Sequence, residues 1–276
     1  MRIDAHQHFW IYNPREYDWI DSRMAVIQRD FLPRDLEPLL GCGGFRGSVA
    51  IQARQSLEET EWLLKLADEN PVVLGVVAWV DLCSPQVREQ LACFAGRSKL
   101  VGIRHIVQSE PDDFLLRPEF LRGISILEEF DLAYDILIYA KHLAVAREFV
   151  KRFPGQRFVL DHLAKPPVKS GAIEPWARRL RELAAFPNVY AKLSGLVTEA
   201  DWQSWKPEHM SAYLEIAFEC FGVDRLMIGS DWPVCLVASS YSRALDVVRN
   251  YLHDHPAETR NAVLGGNAQR FWRLKV

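Results

Sequence analysis

His6 and His8 stand one residue apart in Asp4-Ala5-His6-Gln7-His8. On a β-strand, alternate side chains share a face. Both imidazoles then point the same way, with Cα atoms roughly 6–7 Å apart at about 3.3 Å rise per residue. Two imidazoles so placed can share a metal ion at about 2.0–2.1 Å. His162, directly after Arg157-Phe158-Val159-Leu160-Asp161, adds a third ring nitrogen. Asp231, which follows Leu226-Met227-Ile228-Gly229-Ser230, adds a carboxylate. A set of three histidines and one carboxylate suits one divalent ion, zinc above others. Such an ion lowers the pKa of bound water to about 7 or polarises a substrate carbonyl. Asp231, with an ordinary pKa of about 3.9, is expected to be ionised at neutral pH. It can take a proton from attacking water and return it to the leaving oxygen.

These residues need elements that bring them to one place. Short aliphatic runs, of the kind that form buried parallel strands, recur along the chain at Ile3–Ala5, Gly47–Ile51, Val72–Val80, Leu100–Ile106, Ala133–Tyr139, Arg157–Asp161, Val189–Leu193 and Leu226–Ile228. Helical stretches lie between them. Ser56-Leu57-Glu58-Glu59 reads as a capping box that opens one, and Asn70-Pro71 stops it. Ala144–Phe153 ends at Pro154-Gly155, Pro175–Phe186 at Pro187-Asn188, and Glu208–Phe221 at Gly222. Strand–helix alternation without a linker or an internal repeat predicts one α/β domain over residues 1–276, a (β/α)8 TIM barrel. A doubly wound open sheet is the alternative. Residues 9–33 form a long first βα loop, rich in Trp10, Tyr12, Tyr17 and Trp19. Such loops cover the active face of a barrel or pack on its wall, and this one is expected to cover it.

Catalytic groups of a barrel sit at the C-terminal ends of its strands. There this chain places His6 and His8, Arg104 with His105 and Gln108, and Tyr139 with Lys141 and His142. Next come Asp161 with His162 and Lys165, Lys192 with Ser194, and Ser230 with Asp231 and Trp232. Asp231, His162 and Tyr139 are the expected catalytic residues. His6, His8, His162 and Asp231 are the expected metal ligands. Arg104, a fixed cation, suits a carboxylate or a developing oxyanion. With His105 and Lys165 it is expected to grip substrate, and Trp10 and Trp232 to wall the pocket.

Bulk properties exclude other classes. The chain has 276 residues and a formal net charge of −3, with no long basic run to meet nucleic acid. No apolar stretch approaches the roughly 20 residues of a membrane span. The start shows no charged, apolar, small-residue leader pattern. The five scattered cysteines lack a C-x-x-C pair and read as buried small residues of a reducing compartment. A cytoplasmic protein is expected. A G-x-S-x-G elbow is missing, which argues against a serine hydrolase. Gly41–Gly47 precedes a strand, the wrong side for a phosphate loop, and reads as a helix stop.

Asp4-Ala5-His6-Gln7-His8-Phe9-Trp10, Asp161-His162-Leu163-Ala164-Lys165-Pro166, Gly229-Ser230-Asp231-Trp232-Pro233 and Gly265-Gly266-Asn267-Ala268 together resemble the amidohydrolase superfamily, in its metal-dependent hydrolase branch. Gly102-Ile103-Arg104-His105 with Phe114-Leu115-Leu116-Arg117-Pro118 is similar to the lactonase subgroup. That subgroup holds sugar-acid lactonases of the fuconolactonase and rhamnonolactonase types, and dicarboxylate-pyrone and muconolactone hydrolases. The resemblance implies a barrel that opens a small lactone with water. It implies at most one metal, because Arg104-His105 and Tyr139 stand where second-metal ligands would be. It also allows metal-free catalysis, with Asp231 activating water while His6, His8, His162 and Tyr139 hydrogen-bond the carbonyl or the water. The alternatives are a metal-dependent decarboxylase of the same superfamily and a catalytically silent binding barrel. The expected partner is a small lactone. Oligomeric state stays open, a homodimer being one possibility.

Overall fold

The computed structural model describes residues 1–275. Its strands are β1 (Ile3–Gln7), β2 (Gly47–Ile51), β3 (Val73–Ala78), β4 (Leu100–His105), β5 (Ala133–Ile136), β6 (Phe158–Leu160), β7 (Val189–Leu193) and β8 (Leu226–Ile228). All pairs are parallel and neighbours follow chain order. Gln7 bridges Trp232 in parallel, and the His8 amide donates to the Trp232 carbonyl at 2.7 Å, so the last strand meets the first. This is the expected (β/α)8 barrel, a single domain. Helices α1 (Pro33–Gly43), α2 (Leu57–Glu69), α3 (Val87–Phe94), α4 (Pro118–Leu127), α5 (Leu143–Val150), α6 (Trp176–Ala184), α7 (Glu208–Phe221) and α8 (Tyr241–Tyr251) lie outside, followed by the shorter α9 (Ala257–Asn261) and α10 (Asn267–Trp272).

Each expected strand segment holds a strand, with local differences. β5 stops at Ile136 rather than Tyr139, because the chain turns into a 3-10 turn at Ala140–His142, where the His142 ring accepts from the Tyr139 amide at 3.2 Å. The α2 capping box is only half formed. Ser56 Oγ accepts from the Glu59 amide at 3.0 Å, but the Glu59 carboxylate turns to the Ala53 and Arg54 amides, 3.0 and 2.8 Å away. Helix α5 ends at Val150, short of Pro154. Helix α1 ends at Gly43 with Gly44 in the left-handed conformation, a helix stop inside the expected Gly41–Gly47 segment. The cysteine expectation fails: only Cys235 is buried, while Cys42 and Cys93 are exposed. They lie on helices whose outer faces meet solvent, where a small residue has nothing to pack against.

The N-terminal mouth of the barrel is plugged. Phe271, Trp272 and Leu274 pack with Ile3, Val49, Val77, Val159 and Met227 in a buried apolar cluster. Each fully buried side chain of this kind contributes about 1.5–3 kcal/mol. Above this floor the interior becomes polar, and the site lies there. Residues 9–33 close back on themselves: Trp10 and Phe31 exchange backbone hydrogen bonds at 3.0 and 2.9 Å, and both are buried. No helix among the described residues is long and apolar enough to cross a membrane.

Candidate active site

The inward turn of His6 comes from an irregularity in β1. Asp4 lies opposite Ser48 and Gln7 opposite Ala50, so three steps of β1 match two of β2. Bulges of this kind re-aim side chains beside active sites. Asp4 and Gln7 face outward, Asp4 to Tyr241 of α8 at 3.2 Å and Gln7 to Ser48 at 3.1 Å. His6 and His8 turn inward, their Nε2 atoms 3.1 Å apart. Gly229 of the β8 end makes room, since a methyl group there would lie 2.7 Å from the His6 Cβ. Asp4 locks the two strands together by accepting from the Ser230 amide at 2.9 Å and the Ser230 hydroxyl at 2.6 Å. Burial pushes its carboxyl up to about 6, against these hydrogen bonds.

Asp231 follows in a left-handed conformation, φ 57°, its amide donating to the His6 carbonyl at 2.8 Å. Its Oδ1 lies 3.5 Å from His8 Nε2, 3.7 Å from His6 Nε2 and 3.9 Å from His162 Nε2. His162 is delivered by an unusual turn: His162, Leu163, Ala164 and Lys165 all have φ between 51° and 59°. Such runs are strained for side chains with a Cβ, and cluster where function requires them. Gly195, φ 67°, lets the imidazole lie flat against the chain, and Ser194 Oγ holds its Nδ1 at 2.8 Å.

The four side chains are buried. Burial pushes the imidazoles of His6 and His8 down and that of His162 to about 4, so all three are neutral near pH 7. The His8 Nδ1 lies 2.8 Å from the Ile51 carbonyl, which can only accept. That nitrogen therefore carries the proton, and Nε2 keeps its lone pair. Burial also pushes Asp231 upward, but the surrounding imidazoles, His162 first, outweigh it and hold the carboxyl below its ordinary value. An ionised carboxylate among neutral imidazoles can accept a proton or bind a cation.

The donor set fits a metal. Ligand atoms about 2.1 Å from a tetrahedral ion lie about 3.4 Å from one another. The His6–His8, His8–Asp231 and His6–Asp231 separations of 3.1, 3.5 and 3.7 Å match this. His162, expected as a ligand, stands beside this trio at the longer distance.

Two cations lie against the same imidazole. Arg104 Nη1 is 3.5 Å from His6 Nε2, and Lys192 Nζ is 3.2 Å from His6 Nδ1. Lys192 is fully buried, bonds Asp135, and lies 2.8 Å from Asp161 Oδ1. Arg104 donates to Asp161 Oδ2 at 3.0 Å, to Gln52 Oε1 at 2.9 and 3.2 Å, and to the Gln52 carbonyl. All five of its N–H groups therefore face protein acceptors. Burial raises Asp135 to about 7 against the pull of Lys192. In Asp161 the order reverses: burial acts upward, but Lys192, His6 and Arg104 hold the carboxyl well below the usual range.

The remaining expected residues sit further out. His105 is committed to Glu110 at 3.0 Å and the Trp79 indole at 3.3 Å, and stacks on Phe114. Tyr139 is 41% exposed, with Lys165 Nζ 5.3 Å from its ring centroid. Lys165 in turn pairs with Glu199 at 3.7 Å. Trp10 and Trp232, placed by the sequence at the pocket wall, are buried in an aromatic cluster with Phe9 and Phe31. They fasten the first loop to the end of β8. Sequence reasoning missed Gln52, Asp135 and Glu199. An acidic residue inside an aliphatic strand, as at Asp135, was the one available signal.

An eight-stranded parallel barrel with an H-x-H pair at the end of β1, a histidine after β6 and an aspartate after β8 is the arrangement of the amidohydrolase class. The amidohydrolase family model matches residues 3–274, and the chain belongs to that family. It is 41% identical to L-fucono-1,5-lactonase of Burkholderia multivorans and 38% identical to L-fucono-1,5-lactonase of Burkholderia ambifaria, covering 99% of this chain and 96% of each relative. A crystal structure of a Burkholderia multivorans amidohydrolase with bound zinc superposes with a TM-score of 0.97 at 41% identity, over 100% of both chains.

Proposed function

We propose that this protein is a lactonase that hydrolyses the ring ester of an uncharged sugar-acid lactone, L-fucono-1,5-lactone being the first candidate. The observation that carries this reading is the buried Asp231 carboxylate set among three neutral imidazoles. Asp231 takes a proton from water as its oxygen bonds to the ring carbonyl carbon. His162, braced by Ser194, presents Nε2 to the developing oxyanion. The ring C–O bond then breaks, and Asp231 returns the proton to the departing alkoxide. A hydroxy acid results, ionising at neutral pH and releasing a proton to solvent. A divalent ion on His6, His8 and Asp231, zinc first among candidates, supplies Lewis-acid polarisation when bound.

The charge pattern supports an uncharged substrate. Every Arg104 N–H has a protein acceptor and Lys165 is paired with Glu199, so neither cation is free for a substrate carboxylate. Glu199, Lys165 and Tyr139 suit the hydroxyl groups of a sugar acid. A pH-indicator assay of L-fucono-1,5-lactone, L-rhamnono-gamma-lactone and 2-pyrone-4,6-dicarboxylate, with and without chelator, tests this. Turnover is expected on the sugar lactones and not on the dicarboxylate. Preference for the dicarboxylate, or CO₂ release from an aromatic acid, contradicts it.

A further inference from the structure

We propose that Arg104 is a resident cation that keeps the affinity of the His6–His8–Asp231 site for divalent metal low. Its Nη1 lies 3.5 Å from His6 Nε2, the atom a metal must take. An ion bound there at about 2.1 Å lies no more than roughly 5.6 Å from the guanidinium. At that range, in a buried site, two positive charges repel strongly. The guanidinium does not swing away, because Gln52 and Asp161 hold it on three sides.

The neighbouring carboxylates offset this only in part. Lys192 adds a second cation at the other nitrogen of the same ring, 3.2 Å away. Asp161 is shared between Arg104 and Lys192, and Asp135 is engaged by Lys192. Asp231, the carboxylate of the His6–His8–Asp231 set, faces imidazoles and is paired with neither cation. The same geometry gives the site a cation of its own when no metal is bound.

The inference rests on the ligand set and not on the choice of substrate, and its test reads metal affinity rather than turnover. Zinc dissociation constants are measured by competition with a chromophoric chelator at pH 7.5 for the wild-type protein, Arg104→Gln and Arg104→Lys. Folding is checked by circular dichroism. Arg104→Gln should bind zinc at least tenfold more tightly than wild type, and Arg104→Lys, which keeps the charge, within about threefold of it. Equal or weaker binding by Arg104→Gln overturns the proposal, as does Arg104→Lys binding as tightly as Arg104→Gln. If Arg104→Gln does not fold, Asp161→Asn carries the test. With the carboxylate shared by both cations neutralised, zinc should bind at least tenfold more weakly than to wild type, and unchanged affinity overturns the proposal.

Discussion

Gly195 packs against His162 so closely that a methyl group on its Cα would lie 2.5 Å from the imidazole Nδ1. Its φ of 67° is also one that alanine adopts at a cost of roughly 1–2 kcal/mol. Gly195→Ala should therefore push His162 off Ser194 and away from Asp231. We expect kcat to fall at least about tenfold, since an error of one ångström is felt in catalysis. Stability should fall by about 1–3 kcal/mol. Steady-state kinetics and urea unfolding check both, and kinetics within twofold of wild type would show that His162 needs no such support.

Stability should depend on pH through His162. Its imidazole is pushed down to about 4 in the folded protein from an ordinary 6.5. Between these values the unfolded chain binds a proton that the native state does not, so stability rises with pH across the window. The contribution is complete above about 6.5 and lost as pH falls through about 4. In chelator, we expect the stability gap between wild type and His162→Asn to shift by about 2–3 kcal/mol between pH 7 and pH 4.5. Asparagine tolerates the left-handed backbone at this position. Urea titrations at the two pH values measure the shift, and a constant gap would show that His162 titrates normally.

The sequence made the strands and their order legible, because each buried parallel strand is a short aliphatic run wherever it occurs. It also marked His6, His8, His162 and Asp231, since strand ends are where a barrel places its chemistry. It did not show that a β1 irregularity turns the histidines inward, because register depends on the partner strand. Nor did it show what Arg104 faces. Gln52 and Asp161 lie 52 and 57 residues away, just past the ends of other strands, and nothing local links them. Trp10 and Trp232 flank the catalytic residues in sequence but lie beyond the ends of β1 and β8, where strand alternation no longer sets a side chain's direction, and the structure packs them with Phe9 and Phe31.

Asp231→Asn tests the central claim most directly. Asparagine keeps the shape and tolerates φ 57°, but it cannot take the proton of water. With L-fucono-1,5-lactone as substrate, we expect kcat to fall by about 10³ or more, with the melting temperature within a few degrees of wild type. A folded Asp231→Asn protein that hydrolyses the lactone within tenfold of the wild-type rate would contradict the account.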